Sequence, residues 1–241
     1  MIALYDMTWR STTWDFFNWL AHVKLLGATE ITFRIEPMSP AKYPPEEGRK
    51  RFENFIRFAP PLFDLPFRIG DDGDGYIGSQ RLDVLLRDAA LLGCDIPRMR
   101  LEQLPRRQQH RFTVTIRETF RNAHKNSDRE LWLRFAETIG ATVIEDHARA
   151  YIGLYDRLRL YAGADMNFGV VQGPLAALYY SNFPFAISCD PETSRKSFTG
   201  HGVKPGDQAA CFLPNQRWIW ERPTMDGLMR EFERDDICRV R

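Results

Sequence analysis

Short apolar runs alternate with longer amphipathic ones from the first residues onward. Ile2-Ala3-Leu4-Tyr5 is a compact apolar run and reads as a buried first strand. A polar segment follows, in which Thr12 and Asp15 have capping-box spacing, with Asp in place of the usual Glu. Phe16, Phe17, Leu20, Val23 and Leu26 fall at helical intervals, so a helix is expected over about 13–26, ended by Gly27. Residues 30–35 read as the second strand. A strand, a helix and a strand in this order place two parallel strands in one sheet. A helix over 46–59, stopped by Pro60-Pro61, comes next. A strand over 65–69, which Pro66 makes an edge candidate, and a helix over 79–92 complete this half.

Residues 95–110 carry Pro97, Pro105 and a cluster of Arg and Gln with little apolar periodicity, and read as a linker. A second α/β series begins with the alternating strand Phe112-Thr113-Val114-Thr115-Ile116. A helix over 127–139 is expected next, capped by Ser127 with Glu130 three residues on. Then come a strand over 142–144, a helix over 152–162 and a strand over 165–171. A turn at Gly173-Pro174 leads into a helix to about residue 181. A strand over 183–187 and a helix over 226–234 close the series. The expected fold class is α/β, with two Rossmann-like domains at about 1–100 and 110–241.

Composition narrows the function classes. The chain has 241 residues, 44% hydrophobic and 27% charged, which suits an ordinary globular protein. Its 33 basic and 32 acidic residues give a net charge of +1, which argues against bulk nucleic-acid binding. The basic run Arg106-Arg107-Gln108-Gln109-His110-Arg111 reads as a solvated linker. The four cysteines are scattered with no C-x-x-C pair, so no zinc ribbon or redox motif is indicated. Reduced thiols in a cytoplasm are the simpler expectation, because no signal peptide is in view. No apolar run approaches the roughly 18 residues of a membrane span.

The stretch Val170-Val171-Gln172-Gly173-Pro174-Leu175 carries the leading candidate chemistry. A strand turning into a helix leaves backbone N–H groups at the helix start, where they and the helix dipole can seat a phosphate. Pro174 suits the first helical turn, and Gly173 lets backbone approach a ligand closely. Ligands in parallel sheets sit beyond the carboxyl ends of the strands. Arg117-Glu118-Thr119-Phe120-Arg121-Asn122 and Glu145-Asp146-His147 are expected there too. An Arg at the position of Arg117 can clamp a diphosphate by two parallel hydrogen bonds, or pair with Glu118 or Glu145. His201, in the glycine-flanked Thr199-Gly200-His201-Gly202, is a further candidate, expected in a loop after the 183–187 strand.

The second half resembles the nucleotide-sugar-binding half of two-Rossmann, GT-B-type glycosyltransferases. The resemblance spans roughly residues 110–235. It rests on Thr115-Ile116-Arg117-Glu118, on Asn167-Phe168-Gly169 leading to Gly173-Pro174, and on Tyr161-Ala162-Gly163-Ala164-Asp165. It implies two Rossmann-like domains facing each other across a cleft, with a nucleoside-diphosphate sugar as donor and no cofactor or metal. Donor binding would fall to Arg117, Glu118, Asn122, Gln172, Gly173, Pro174 and His201. Arg117 would also act in catalysis, neutralising the leaving diphosphate. The base that deprotonates an acceptor hydroxyl would come from the first half, with Asp6 as candidate and Asp71 and Asp72 as second choice. The acceptor itself, whether glycan, small molecule or nucleic acid, is left open. A nucleotide-sugar epimerase and a non-catalytic nucleotide- or glycan-binding module remain as alternatives.

Other motifs carry less. Gly73-Asp74-Gly75-Tyr76-Ile77-Gly78 spells G-x-G-x-x-G, but no acidic strand end follows about 20 residues later, and Asp71 and Asp72 would repel a pyrophosphate. Asp72-Gly73-Asp74 is a D-x-D that turn chemistry also explains. The histidines show no metal-ligand spacing, and no G-x-S-x-G elbow is present.

Overall fold

The computed structural model describes residues 1–8, 15–38, 44–74, 78–101, 104, 111–118, 123–146 and 153–234. The chain divides into two compact units. The first comprises Met1–Gln103 with the short segments Gly153–Tyr155 and Tyr179–Ser181, and the remainder forms the second.

The first unit is built on a parallel three-stranded sheet, β1 (Ile2–Asp6), β2 (Glu30–Arg34) and β3 (Phe67–Ile69), in the order β1-β2-β3. β1 and β2 run in register from Ile2 opposite Glu30 to Asp6 opposite Arg34. The β1–β2 crossover passes through helix α1 (Phe16–Leu25). The core here is aromatic: the Tyr5 ring meets both Phe16 and Trp19 edge-on at 4.7 Å. Asn18 and His22 lie one turn apart on α1, both buried, and hold the segment that leads to helix α3 (Leu82–Leu92). Asn18 Nδ2 donates to the Gln80 carbonyl at 2.8 Å, and His22 Nδ1 accepts the Ser79 N–H at 2.8 Å.

Two expectations for this unit need correction. α1 starts at Phe16 rather than near residue 13, and Thr12 lies outside the described residues. The helix expected over 46–59 breaks early. Helix α2 (Pro45–Asn54) ends before Phe55, whose backbone (φ −137°, ψ −65°) leaves the helical region, and two 3-10 turns follow at Ile56–Phe58 and Pro60–Phe63. Phe55 is fully buried, with its ring against Phe16 and Phe17, so core packing overrides local helix propensity.

The second unit holds a parallel five-stranded sheet in the order β5-β4-β6-β7-β8. Its strands are β4 (Phe112–Arg117), β5 (Thr142–Asp146), β6 (Met166–Val170), β7 (Phe185–Ser188) and β8 (Gln216–Ile219). The alternation along β4 separates two kinds of buried face. Phe112, Val114 and Ile116 join an apolar core with Trp132 and Phe135 of helix α4 (Arg129–Ile139) and Leu228 of helix α7 (Met225–Arg234). Thr113 and Thr115 are equally buried but meet polar partners, including Tyr161 on helix α5 (Leu154–Ala162). Alternation of this kind usually marks a strand with one wet face; here both faces are covered.

The sequence also misplaced a cap and missed two elements. Asp128, not Ser127, caps α4, its Oδ1 accepting from the Leu131 N–H at 3.2 Å. Ser127 is engaged elsewhere: its hydroxyl accepts the Arg117 N–H at 2.8 Å. Helix α6 (Pro191–Thr199) and strand β8 were not expected from the sequence. α6 is polar apart from a few buried positions such as Phe198. β8 is an edge strand whose Trp218 N–H donates to Gln208 Oε1 and whose Trp218 carbonyl accepts from Gln208 Nε2, both at 2.8 Å. A long-range side chain therefore supplies the hydrogen bonds that a further strand would have made.

Candidate functional site

The strand order of the second sheet reverses between β4 and β6. The chain leaves β4 toward β5 on one side, then returns past β4 to lay β6, β7 and β8 on the other. Connections diverge at such a point and leave an opening beyond the carboxyl ends of the two central strands. Arg117 ends β4, and Val171-Gln172-Gly173 follows β6. The structure thus brings together two of the segments expected at the site.

Arg117 is half-buried, with its backbone pinned. Its N–H donates to Ser127 Oγ at 2.8 Å, and its carbonyl accepts the Ser127 N–H at 3.0 Å. The loop between them is closed at its neck, which fixes where the guanidinium starts. The carboxylates of Glu118 and Glu145, the ion-pair partners considered for Arg117, are both held by Arg129. Arg129 Nη1 donates to Glu118 Oε1 at 2.9 Å and Nη2 to Glu145 Oε1 at 2.6 Å. These hydrogen bonds, Glu145 first and then Glu118, hold the Arg129 guanidinium above its ordinary pKa.

The sequence reading missed Arg129, although a signal was present. A cation at the first residue of a helix opposes the helix dipole, so an Arg there implies nearby anions.

Gln172 is 5% exposed and links the two central strands. Its Nε2 donates to the Thr115 carbonyl at 3.3 Å. Its Oε1 is buried with no hydrogen-bond partner among the described residues, an acceptor suited to a ligand hydroxyl or N–H. Gly169, on β6, has no room for a side chain. A Cβ there would lie 2.7 Å from Leu175 Cδ1 and 3.0 Å from the Thr115 carbonyl.

The segment that follows differs from the expected α-helix. Gly173–Tyr180 is a 3-10 helix. Pro174 has no N–H, and the Leu175 N–H donates to the Gln172 carbonyl at 3.2 Å. Fewer free donors face an anion here than at an α-helix start. Gly173 is half-buried and Pro174 and Leu175 are buried, so backbone and the Gln172 amide make up this side of the site.

The remaining candidates are placed as follows. Asn122 and His147 lie outside the described residues. His201 lies in a turn after β7, with α6 between them. Its N–H closes the turn after α6, donating to the Phe198 carbonyl at 2.9 Å.

In the first unit, Asp6 ends β1 and is 7% exposed. Its Oδ1 accepts from Thr8 N–H at 2.9 Å and Thr8 Oγ1 at 2.6 Å, and its Oδ2 from Arg34 Nη1 at 2.8 Å. Burial alone would raise its pKa, but the bonds from Thr8 and Arg34 together outweigh it and hold the carboxyl below its ordinary value. Arg34 also holds Asp71, and Arg68 takes both carboxylate oxygens of Asp72 at 2.7 and 2.9 Å. Asp74 Oδ2 accepts the Ile2 N–H at 2.7 Å, so the two carboxylates of the D-x-D are held by different partners. Among the described residues no group of His, Cys, Asp and Glu is arranged to hold a metal, and no helix is long and apolar enough to cross a membrane.

No protein-family model matches the chain, and no curated protein matches it in sequence. Among solved structures, it is similar to the dodecameric iron-containing heptosyltransferase TibC in complex with ADP-D-beta-D-heptose. That match has a TM-score of 0.48 at 14% identity and covers 80% of this chain and 60% of that one. The bacterial iron-containing dodecameric glycosyltransferase TibC from enterotoxigenic E. coli H10407 matches with a TM-score of 0.46 at 12% identity, over 78% of this chain and 57% of that one. The chain therefore spans about 60% of the length of the solved structures it matches. The protein has an α/β fold with two parallel sheets, of three and five strands.

Proposed function

We propose that the protein is a metal-independent glycosyltransferase that moves a sugar from a nucleoside-diphosphate sugar to an acceptor hydroxyl. One observation carries this reading: Arg117 and Gln172-Gly173 stand at the carboxyl ends of two adjacent strands where the strand order reverses. The diphosphate would lie against Arg117, whose planar guanidinium can make two parallel hydrogen bonds to it. Backbone at Gly173 would contact the same group, and Gln172 Oε1 would accept from a hydroxyl or N–H of the donor. As the glycosidic bond breaks, negative charge grows on the leaving diphosphate, and Arg117 stabilises it without a metal. Glu118, paired with Arg129, would frame the site rather than touch phosphate. Asn122, Pro174 and His201 remain donor-side candidates.

A second reading is favoured by the state of the carboxylates. Asp6, Asp71 and Asp72 are each held by an arginine, and hydrogen bonding holds the Asp6 and Asp72 carboxyls below their ordinary pKa, which makes those two weak bases. A non-catalytic module that binds a nucleotide or glycan would need none of them as a base.

Thermal shift with a panel of nucleoside diphosphates tests both readings. A ligand at 100 times its dissociation constant adds about 2.7 kcal/mol of stability. Arg117→Ala is expected to weaken the best ligand at least tenfold, with little change in melting temperature without ligand. Stabilisation by none of the panel would overturn the transferase and the nucleotide-binding module, leaving only a glycan-binding one. Binding without sugar transfer to any acceptor would leave only the module.

A further inference from the structure

Beneath the β4–β6 junction runs a buried polar seam. Arg157 and Tyr161 share a face of α5, one turn apart, and are 1% and 0% exposed. Arg157 Nη1 donates to the Tyr161 hydroxyl oxygen at 3.3 Å. That hydroxyl lies 3.2 Å from Thr115 Oγ1. The Thr115 carbonyl in turn accepts the Gln172 amide. On the next strand, Asn167 Nδ2 donates to the carbonyls of Tyr161 at 3.2 Å and Pro184 at 2.9 Å, and its Oδ1 accepts from Thr113 Oγ1 at 2.6 Å.

An apolar face would have been simpler to bury, because each polar group taken out of water needs a partner. The opposite face of β4 shows that simpler solution in Val114 and Ile116. The polar groups line the stretch where β4 and β6 are paired, with Thr113 opposite Asn167 and Thr115 opposite Gly169, and the branch through Thr115 reaches Gln172. A guanidinium accepts no hydrogen bond, so when it donates to the Tyr161 oxygen the tyrosine proton is free to point at Thr115. Linked bonds of this kind hold one another's direction.

We propose that Tyr161, oriented by Arg157, is a positioning residue for the donor site: through Thr115 it sets the attitude of the Gln172 amide at the β4–β6 junction. This rests on the reading that a nucleoside diphosphate binds there. Tyr161 touches no ligand. It acts by fixing the strand end against which Gln172 is placed.

The test uses the whole chain and two variants. Tyr161→Phe removes one hydroxyl and keeps the ring, and Thr115→Val removes the hydroxyl that receives it. Each is expected to lower affinity for the best nucleoside diphosphate about fivefold to tenfold, the size of one lost hydrogen bond. The double variant is expected to be no weaker than the worse single one, because both break the same chain. A purely structural role would lower the melting temperature and leave affinity unchanged, and that result would overturn the proposal.

A second measurement does not depend on ligand. In the nuclear magnetic resonance spectrum, the Gln172 side-chain amide protons, assigned by their loss in Gln172→Glu, should shift and exchange faster in Tyr161→Phe. Unchanged signals would overturn the positioning role. A wild type that binds no nucleoside diphosphate would instead overturn the functional reading, with the amide signals still deciding the seam.

Discussion

His22 donates from Nε2 to the Asp88 carboxylate, 3.0 Å away, and its other nitrogen accepts the Ser79 N–H. The pair has the outline of an acid–base dyad, but it leaves no ring nitrogen for a substrate. With both nitrogens engaged, the ring is held neutral and joins α1 to α3.

This arrangement predicts an acid-sensitive stability. Burial pushes the His22 pKa below 6.5, helped by the charge of Arg87, while the bond to Asp88 opposes the shift without cancelling it. The folded state therefore resists protonation that the unfolded chain accepts. Stability is full above pH 6.5 and falls as pH drops below it, by up to about 1.4 kcal/mol per pH unit while one proton is taken up on unfolding. Urea melts between pH 8 and 5 check this. His22→Gln should flatten the slope below pH 6.5 and leave the region above it unchanged.

The Asp6–Arg34 pair predicts a stability loss of another origin. Arg34→Ala would leave a buried carboxylate with its Thr8 bonds alone. The expected cost is about 1–2 kcal/mol, less than for a fully buried pair because Arg34 is partly exposed. The Asp6 contribution has the opposite chemistry to a base. Its depressed pKa adds stability above the ordinary carboxylate value and loses it as pH falls through the folded value. If Asp6→Asn abolished turnover while leaving stability intact, Asp6 would act as a base and not as a structural anion.

Gly169→Ala should affect both fold and site. The new methyl would meet Leu175 and the Thr115 carbonyl within 3.0 Å. Overpacking of this kind costs about 1–3 kcal/mol. Leu175 lies three residues after Gln172, so nucleoside-diphosphate affinity should fall as well. Denaturant melts and ligand titration on one preparation would show the two losses together.

Gln208→Ala should expose the edge of β8. Gln208 occupies both the N–H and the carbonyl of Trp218, so its loss leaves an open strand edge. Self-association at micromolar concentration, read by light scattering, is the expected outcome. A variant that stays monodisperse would mean that the flanking loop is cover enough.

Most strands were legible in the sequence, and the reason is local. Apolar runs such as Ile2-Ala3-Leu4-Tyr5 and Phe185-Ala186-Ile187 are short, dense and bounded by polar or turn residues. β8 was not, because Gln216-Arg217-Trp218-Ile219 mixes charge with apolar groups and owes its edge bonds to Gln208. The sequence reads Ser127 as the cap of α4, but the Arg117 backbone claims the serine hydroxyl and Asp128 takes the cap. The break at Phe55 depends on rings nearly forty residues earlier in the chain.

By itself, the sequence determined the alternation of strands and helices, the presence of two α/β series, and the nomination of Arg117 and Gln172. Those features follow from the spacing of side chains along a few turns or a single strand. Only the tertiary structure decided that β6 lies against β4, that Arg129 takes the carboxylates beside Arg117, and that Tyr161 stands under Thr115. Strand order and long-range hydrogen bonds depend on which distant segments meet, and no local pattern of residues encodes that meeting.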